Sequence, residues 1–129
     1  MTAKKKRVKR EKFSFKKGFV ALIFILEVIL VFTFFDYMIH TTSPDYAVPA
    51  SYFVNKIIYG TIIGFITYLF VRKKPITQKS AIIALVVSAL LQIGYAVTGY
   101  PLSFVALFFV IHFAILFIVT YIGCKIARM

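Results

Sequence analysis

The sequence contains no tryptophan, a single cysteine and only four acidic residues in a chain of 129. One cysteine cannot form a disulfide within the chain, and it cannot supply the paired cysteines of zinc and redox motifs. The sequence also lacks a glycine-rich phosphate loop, a His-Glu-x-x-His motif and a Gly-x-Ser-x-Gly motif. These absences argue against the common nucleotide-binding, metalloprotease and hydrolase classes.

Hydrophobic residues make up 61% of the chain, against roughly 45–50% in an ordinary globular domain. They form four long runs, separated by charged, proline and turn residues. A helix of ~20 apolar residues crosses the ~30 Å hydrocarbon core of a bilayer. The sequence therefore predicts an all-α polytopic membrane protein, a four-helix bundle with up-down connectivity in one domain over residues 18–129. The predicted helices cover 18–40, 52–71, 80–97 and 102–124.

The net charge of +12 is unevenly distributed along the chain. Nine of the sixteen Lys and Arg residues lie in residues 1–17, four lie at 72–79 and two lie near the C-terminus. The connection between the first and second predicted helices and the one between the third and fourth contain one acid, Asp45, and no basic residue. Because cytoplasmic loops are enriched in Lys and Arg, this pattern predicts a multi-pass protein of the plasma membrane with both termini in the cytoplasm.

Residues 1–17 form a basic arm without apolar periodicity, and we expect this arm to be disordered in water. In the simplest interpretation the arm only orients the first helix. Its basic residues over 4–17 also predict attraction to anionic lipid headgroups, worth about 1 kcal/mol per residue near the surface. An acidic protein or ribosomal RNA is a lower-ranked partner, and nucleic-acid binding in general is not expected.

Polar side chains within the hydrophobic runs are candidates for function, because a charge at the bilayer centre costs ~2.5–3.5 kcal/mol on insertion scales. Counting from the helix ends places several of them at a similar depth near the outer surface. An Asp36–Lys56 pair there is expected to fix helix packing, which we favour over a ligand-binding site. The predicted outer-leaflet cluster consists of Asp36, His40, Asn55, Lys56 and Gln92.

Asp36 and His40 share a helix face, because they are four residues apart. This spacing could supply two ligands of a metal ion, but the spacing alone is weak support. We therefore predict neither a metal nor a cofactor.

Glu27 and His112 are both expected near mid-membrane, on the first and fourth helices. Their common depth predicts a hydrogen-bonded pair that is either structural or responsive to protons or cations. The spacing of Glu27 and Asp36 places these two acids on opposite faces of one helix.

Gly60 and Gly64 form a Gly-x-x-x-Gly motif, which predicts close helix packing within the chain or between copies. Cys124 is interpreted as a small packing residue, with S-palmitoylation as the alternative.

The segment Ile25-Leu26-Glu27-Val28-Ile29 resembles the first-helix segment of the small multidrug-resistance transporters. Those proteins are also short and four-helical, with a membrane glutamate on the first helix. The resemblance is limited to these residues, and the chain lacks the tryptophan and the later helix motifs of that family. It implies that Glu27 is a coupling carboxylate.

The absence of any soluble domain and the mutually satisfiable polar residues predict a small non-enzymatic membrane protein. Its expected role is that of a subunit, an assembly factor or a lipid-contacting scaffold. A homo-oligomeric, proton- or cation-coupled transporter or channel is the alternative, and an intramembrane enzyme ranks third because no nucleophile–base pair is visible. The expected partners are the lipid bilayer and either another membrane protein or a second copy of the chain.

Overall fold

A computed structural model describes residues 13–129, and this part of the chain contains helices but no strands. A short 3-10 turn at Pro44–Tyr46 follows the first helix. Each of the four α-helices is long and apolar enough to cross a membrane. They are α1 (Phe15–His40), α2 (Ala50–Val71), α3 (Ile76–Val97) and α4 (Leu102–Ala127).

Helix α1 begins at Phe15, before the predicted start at residue 18, so the last residues of the predicted disordered arm are helical. The reason is a helix cap at Ser14, whose Oγ accepts a hydrogen bond from the backbone N–H of Lys17 at 3.3 Å. The rest of the predicted arm, residues 1–12, lies outside the described residues.

Prolines precede the other three helices, with Pro49, Pro75 and Pro101 at the N-cap positions of α2, α3 and α4. Proline has no backbone N–H and fixes φ, so it suits the beginning of a helix and not its interior. Helix α3 therefore begins at Ile76, directly after its proline, and not at residue 80 as predicted.

The prediction placed Lys79 in a loop because of its charge, but the structure buries Lys79 in the first turns of α3. Its ammonium group donates a hydrogen bond to the carbonyl of Arg72 at 3.3 Å and lies 5.7 Å from the ring centroid of Tyr68. Helix α4 continues past the predicted residue 124 to Ala127, where Arg128 adopts a left-handed conformation with φ 55° and ends it.

Helix α1 packs against α2 and α4, and α3 packs against the same two helices. An apolar core between them includes Ile25, Phe32 and Val87, and a separate aromatic cluster contains Tyr95 and Phe108. Polar side chains lie between these two apolar clusters. These polar side chains are buried, and they define the candidate site.

Candidate functional site

Polar side chains from all four helices meet inside the bundle. Each of them is at most 5% exposed, although four of the five are ionisable. Such residues are rarely buried unless they are paired. We call this set the buried polar network, and its members are Asp36 and His40 of α1, Lys56 of α2, Gln92 of α3 and His112 of α4.

The Asp36 carboxylate is the centre of the buried polar network. Its Oδ2 accepts a hydrogen bond from the ammonium group of Lys56. Its Oδ1 accepts a hydrogen bond from Nε2 of His112 at 2.7 Å and lies 3.3 Å from Nε2 of His40. Both carboxylate oxygens are therefore engaged, and the negative charge is balanced by a buried cation.

His112 is held between Asp36 and Gln92. The Gln92 amide nitrogen lies 2.7 Å from Nδ1 of His112, so the amide donates and Nδ1 accepts. Nε2 then carries the ring proton that is donated to Asp36, and His112 is neutral in this arrangement. The remaining amide oxygen, Oε1 of Gln92, is buried without a hydrogen-bond partner among the described residues.

His40 is oriented by the connection that follows α1. Its Nδ1 lies 2.6 Å from the carbonyl oxygen of Tyr46, which can only accept, so Nδ1 carries a proton. Nε2 lies 3.3 Å from both the Lys56 ammonium and the Tyr95 hydroxyl. The ring also stacks on Phe108, with 4.2 Å between centroids. These contacts hold the imidazole through both of its nitrogens and through its stacked face.

Asp36, His40 and His112 could in principle ligate a metal, because one ligand atom from each lies within 4.8 Å of the others. Two imidazoles and a carboxylate are a ligand set that zinc accepts. The Lys56 ammonium, however, already contacts Asp36 and His40 and supplies the positive charge at this position. A metal would have to displace it and remove the Nε2 proton of His112, so the donor set fits the Lys56 cation better.

The structure brings four members of the predicted outer-leaflet cluster together, namely Asp36, His40, Lys56 and Gln92, but not Asn55. Asn55 is exposed because it is adjacent in sequence to the buried Lys56, and successive residues of an α-helix point about 100° apart. It lines a groove of 520 Å³ between α2 and α3.

The expected Glu27–His112 pair is not formed. His112 is fully buried and bonded to Asp36 and Gln92, whereas Glu27 lies on the exposed face of α1. There are two physical reasons: Glu27 is half a turn away from the inward face that carries Asp36, and it lies nine residues, about 13.5 Å, from Asp36 along the axis of α1. The prediction of a common depth for Glu27 and His112 is wrong, because His112 lies level with Asp36, whereas Glu27 lies beside Val119 and Ile122 of α4.

Two participants were not predicted as members of the site. Tyr95 follows Gln92 on the same face of α3, so the helical period offered a signal for it. Tyr46 contributes a main-chain carbonyl, and no side-chain pattern could reveal this contact.

Glu27 lies in an apolar groove of 490 Å³ between α1 and α4. We call this feature the α1/α4 groove. Within residues 13–129, Glu27 makes no hydrogen bond and no ion pair. Val31 and Ile122 lie along the groove, and their side chains are 43% and 51% exposed. A carboxyl group thus sits without a partner on a surface that is otherwise suited to lipid or to another helix.

Gly60 and Gly64 face α1 within the same chain. A Cβ atom added at Gly60 would lie 3.3 Å from Ile29, and one added at Gly64 would lie 3.0 Å from Ile25. Their side-chain-free surface therefore allows α1 and α2 to approach closely.

The Cys124 side chain is fully buried in the apolar core, which fits a packing role and leaves its thiol inaccessible for acylation in this conformation.

The four apolar helices together suggest a multi-pass membrane protein. Comparison with models of known protein families, with curated proteins and with solved structures finds no match to this chain.

Proposed function

We propose that this chain is a non-enzymatic membrane subunit or assembly factor that binds another membrane protein through the α1/α4 groove. The observation that carries the proposal is Glu27, exposed in this groove without a partner in the described chain. Hydrocarbon offers no water to hydrogen-bond a carboxyl group, so such a group normally faces protein, water or a partner. A partner helix that brings a donor or a cation to Glu27 would satisfy it.

A different protein fits the groove better than a second copy of this chain. Lys56 is the only Lys or Arg of the described helices that lies away from their ends, and it is buried against Asp36. A symmetric dimer through this face would therefore set one Glu27 against another. Two such carboxyl groups can share a site only if at least one is protonated.

The buried polar network supports a structural role inside this subunit. Both oxygens of Asp36 and all imidazole nitrogens of His40 and His112 are already bonded within the bundle. A network that joins all four helices in this way fixes their relative rotation. This rigidity would present the α1/α4 groove in one defined shape.

The proposal includes an orientation in the plasma membrane, with both termini cytoplasmic and the helices connected up-down. The positive-inside distribution supports it, because basic residues concentrate before α1, between α2 and α3 and after α4. The basic residues before α1, together with anionic lipid, would hold this end at the cytoplasmic surface and add a lipid-contacting function.

Site-specific photo-crosslinking in native membranes tests the proposed interaction. A photoreactive amino acid at Val31 or Ile122 should crosslink to a protein other than this chain. Glu27→Leu should abolish that crosslink, because leucine offers nothing to a partner's donor. The melting temperature of the purified variant should not fall, since Glu27 makes no bond within the described bundle.

Ile62 provides the matched control, because it is 51% exposed on α2 and does not line the α1/α4 groove. A photoreactive residue there should crosslink to lipid and not to the partner. Crosslinks between two copies through Val31 would favour the homo-oligomeric transporter instead. Lipid adducts alone from all three positions would contradict both functions.

A further inference from the structure

A cavity of 400 Å³ lies between the 3-10 turn after α1 and the beginning of α4. We call it the aromatic cavity, because the rings of Tyr46, Tyr100 and Phe104 line it. Asp45 lines it as well. The aromatic cavity shares no lining residue with the α1/α4 groove, so an argument about it does not depend on the function proposed above.

The charge around the aromatic cavity is negative. The Asp45 side chain is exposed, and its carboxylate makes no hydrogen bond and no ion pair with the described residues. The sequence over 41–55 and 97–111, which includes both walls of the cavity, has no Lys or Arg and no second acid. The nearest Lys along the chain, Lys56, is buried against Asp36. A cation in the cavity would therefore meet a carboxylate that no other described residue neutralises.

The turn that carries Asp45 and Tyr46 is held in place by the bundle. The backbone N–H of Asp45 donates to Oγ of Ser43 at 3.3 Å, and the carbonyl of Tyr46 accepts the Nδ1 proton of His40 at 2.6 Å. The Tyr46 ring packs against Phe108, with 5.5 Å between centroids. This wall of the cavity is thus formed before any ligand binds, which lowers the entropy cost of binding.

The opposite wall consists of a second set of packed rings. Tyr100 and Phe104 stack with 4.7 Å between centroids. Tyr95 packs against both at nearly right angles, with 5.4 Å and 5.3 Å between centroids. Among the described rings, Tyr46 contacts only Phe108, so ring packing does not join the two walls. The space between them is open to a ligand.

Aromatic rings together with one carboxylate suit a particular kind of cation. A cation within ~6 Å of a ring centroid is attracted to the negative face of the ring. A metal ion or a primary ammonium needs several oxygen ligands or acceptors, and a single carboxylate matches them poorly. A methylated ammonium has no N–H to satisfy, and aromatic cages are the usual means of recognising it. Pro101 and Leu107 add apolar surface for its methyl groups.

We propose that the aromatic cavity binds an organic cation through a methylated ammonium group. The rings of Tyr46, Tyr100 and Phe104 contact the methyl groups, and the Asp45 carboxylate balances the charge. A free cation such as choline and the headgroup of a choline lipid share this chemistry. The lining contains no Lys or Arg to hold a lipid phosphate, so we expect the free cation.

Isothermal titration calorimetry of the full chain in maltoside detergent tests this proposal, with choline, tetramethylammonium, ammonium and 3,3-dimethyl-1-butanol as separate probes. The last is the neutral analogue of choline, with carbon in place of nitrogen. Ammonium and the neutral analogue should bind at least about fivefold more weakly than choline, since one lacks the methyl groups and the other the charge. Equal binding of choline and its neutral analogue, or no binding of choline, would overturn the proposal.

Two pairs of variants assign the binding to this cavity. Tyr100→Leu should weaken choline binding about fivefold because it removes a ring, whereas Tyr100→Phe keeps the ring and the affinity. Asp45→Asn should weaken binding about threefold, whereas Asp45→Glu keeps the charge and most of the affinity. Asp45→Asn removes no bond among the described residues, so its melting temperature should not change. Unchanged choline affinity in both Tyr100→Leu and Asp45→Asn would overturn the assignment.

Native mass spectrometry with phosphatidylcholine and phosphatidylglycerol as separate probes distinguishes the two sources of the ammonium group. The chain should retain both lipids equally, and Asp45→Asn should not change the retention of phosphatidylcholine. Preferential retention of phosphatidylcholine that Asp45→Asn abolishes, without binding of choline, would assign the cavity to a lipid headgroup and overturn the free cation.

Discussion

Lys56 and Asp36 each have side chains at most 3% exposed, so neither charge is stable inside the bundle without the other. The pair is bonded directly, and His112 and His40 occupy the remaining contacts of the carboxylate. Removing one partner of a buried ion pair leaves an uncompensated charge, whereas removing both can be close to neutral. If the pair is structural, replacing one partner should therefore destabilise the bundle much more than replacing both.

Lys56→Met should therefore lower the free energy of unfolding by about 3–5 kcal/mol, because it leaves the Asp36 carboxylate without its cation. The combined variant Lys56→Met/Asp36→Asn should recover most of this loss. Thermal or denaturant unfolding in detergent measures both effects. If Lys56→Met is nearly as stable as the original chain, the pair does not hold the bundle together, and a functional role for Asp36 becomes the better interpretation.

Counting residues from the helix ends was sufficient to bring Asp36, Lys56 and Gln92 to a common depth. It placed His112 beside Glu27, but His112 bonds to Asp36, nine residues further along α1, and Glu27 lies beside Val119 and Ile122 of α4. The position of α4 along α1 and its rotation against α1 are both set by packing, for example by the contact between the His112 and Phe32 rings, with 5.3 Å between centroids. Nothing in the linear pattern of either helix specifies this contact.

At the scale of the helices, Gly64 controls how closely α2 approaches α1. A Cβ atom there would lie 3.0 Å from Cγ2 of Ile25, closer than nearly all real contacts of this kind. Gly94 in α3 is the natural comparison, because a Cβ atom there would meet nothing within 4 Å. Both glycines lie within helices, so the effects of replacing them by alanine should differ mainly because of the space available to the added methyl group.

Gly64→Ala should reduce the free energy of unfolding by about 1 kcal/mol, because Ile25 or the helix must shift to accommodate the methyl group. Gly94→Ala should be neutral or stabilising by up to about 1 kcal/mol, since alanine favours the helix. Unfolding curves of the two variants and the original chain in the same detergent measure these differences in the free energy of unfolding. A stabilised Gly64→Ala variant would show that α1 and α2 are not in close contact at this point.

The existence and approximate extent of the four helices could be predicted, because length and hydropathy are properties of the linear sequence. Their beginnings were less predictable. The prediction treated Lys79 as a loop residue, and only the three-dimensional structure shows that Tyr68 and the carbonyl of Arg72 receive its ammonium group. A charge can thus lie within a helix when the neighbouring helix provides both a ring and an acceptor.

The molecule as a whole has two different ends. At one end, the hydroxyl of Tyr52 donates to Thr98 Oγ1 at 2.8 Å, and the ring stacks on Tyr95 with 5.5 Å between centroids. Tyrosine rings of this kind favour the boundary between membrane and water. The opposite end carries Lys16, Arg72 and Lys73, whose positive charge favours the cytoplasmic side. The proposed orientation follows from this asymmetry.

Cysteine labelling in intact cells tests that orientation. In a Cys124→Ser background, Asp45→Cys and Lys74→Cys each introduce one exposed thiol, at opposite ends of the bundle. A membrane-impermeant maleimide should label position 45 from outside and label position 74 only after the cells are permeabilised. Equal labelling of both variants in detergent confirms that both thiols are reactive. The reverse pattern in intact cells would invert the proposed orientation and place Lys16, Arg72 and Lys73 outside, where the positive-inside preference disfavours them.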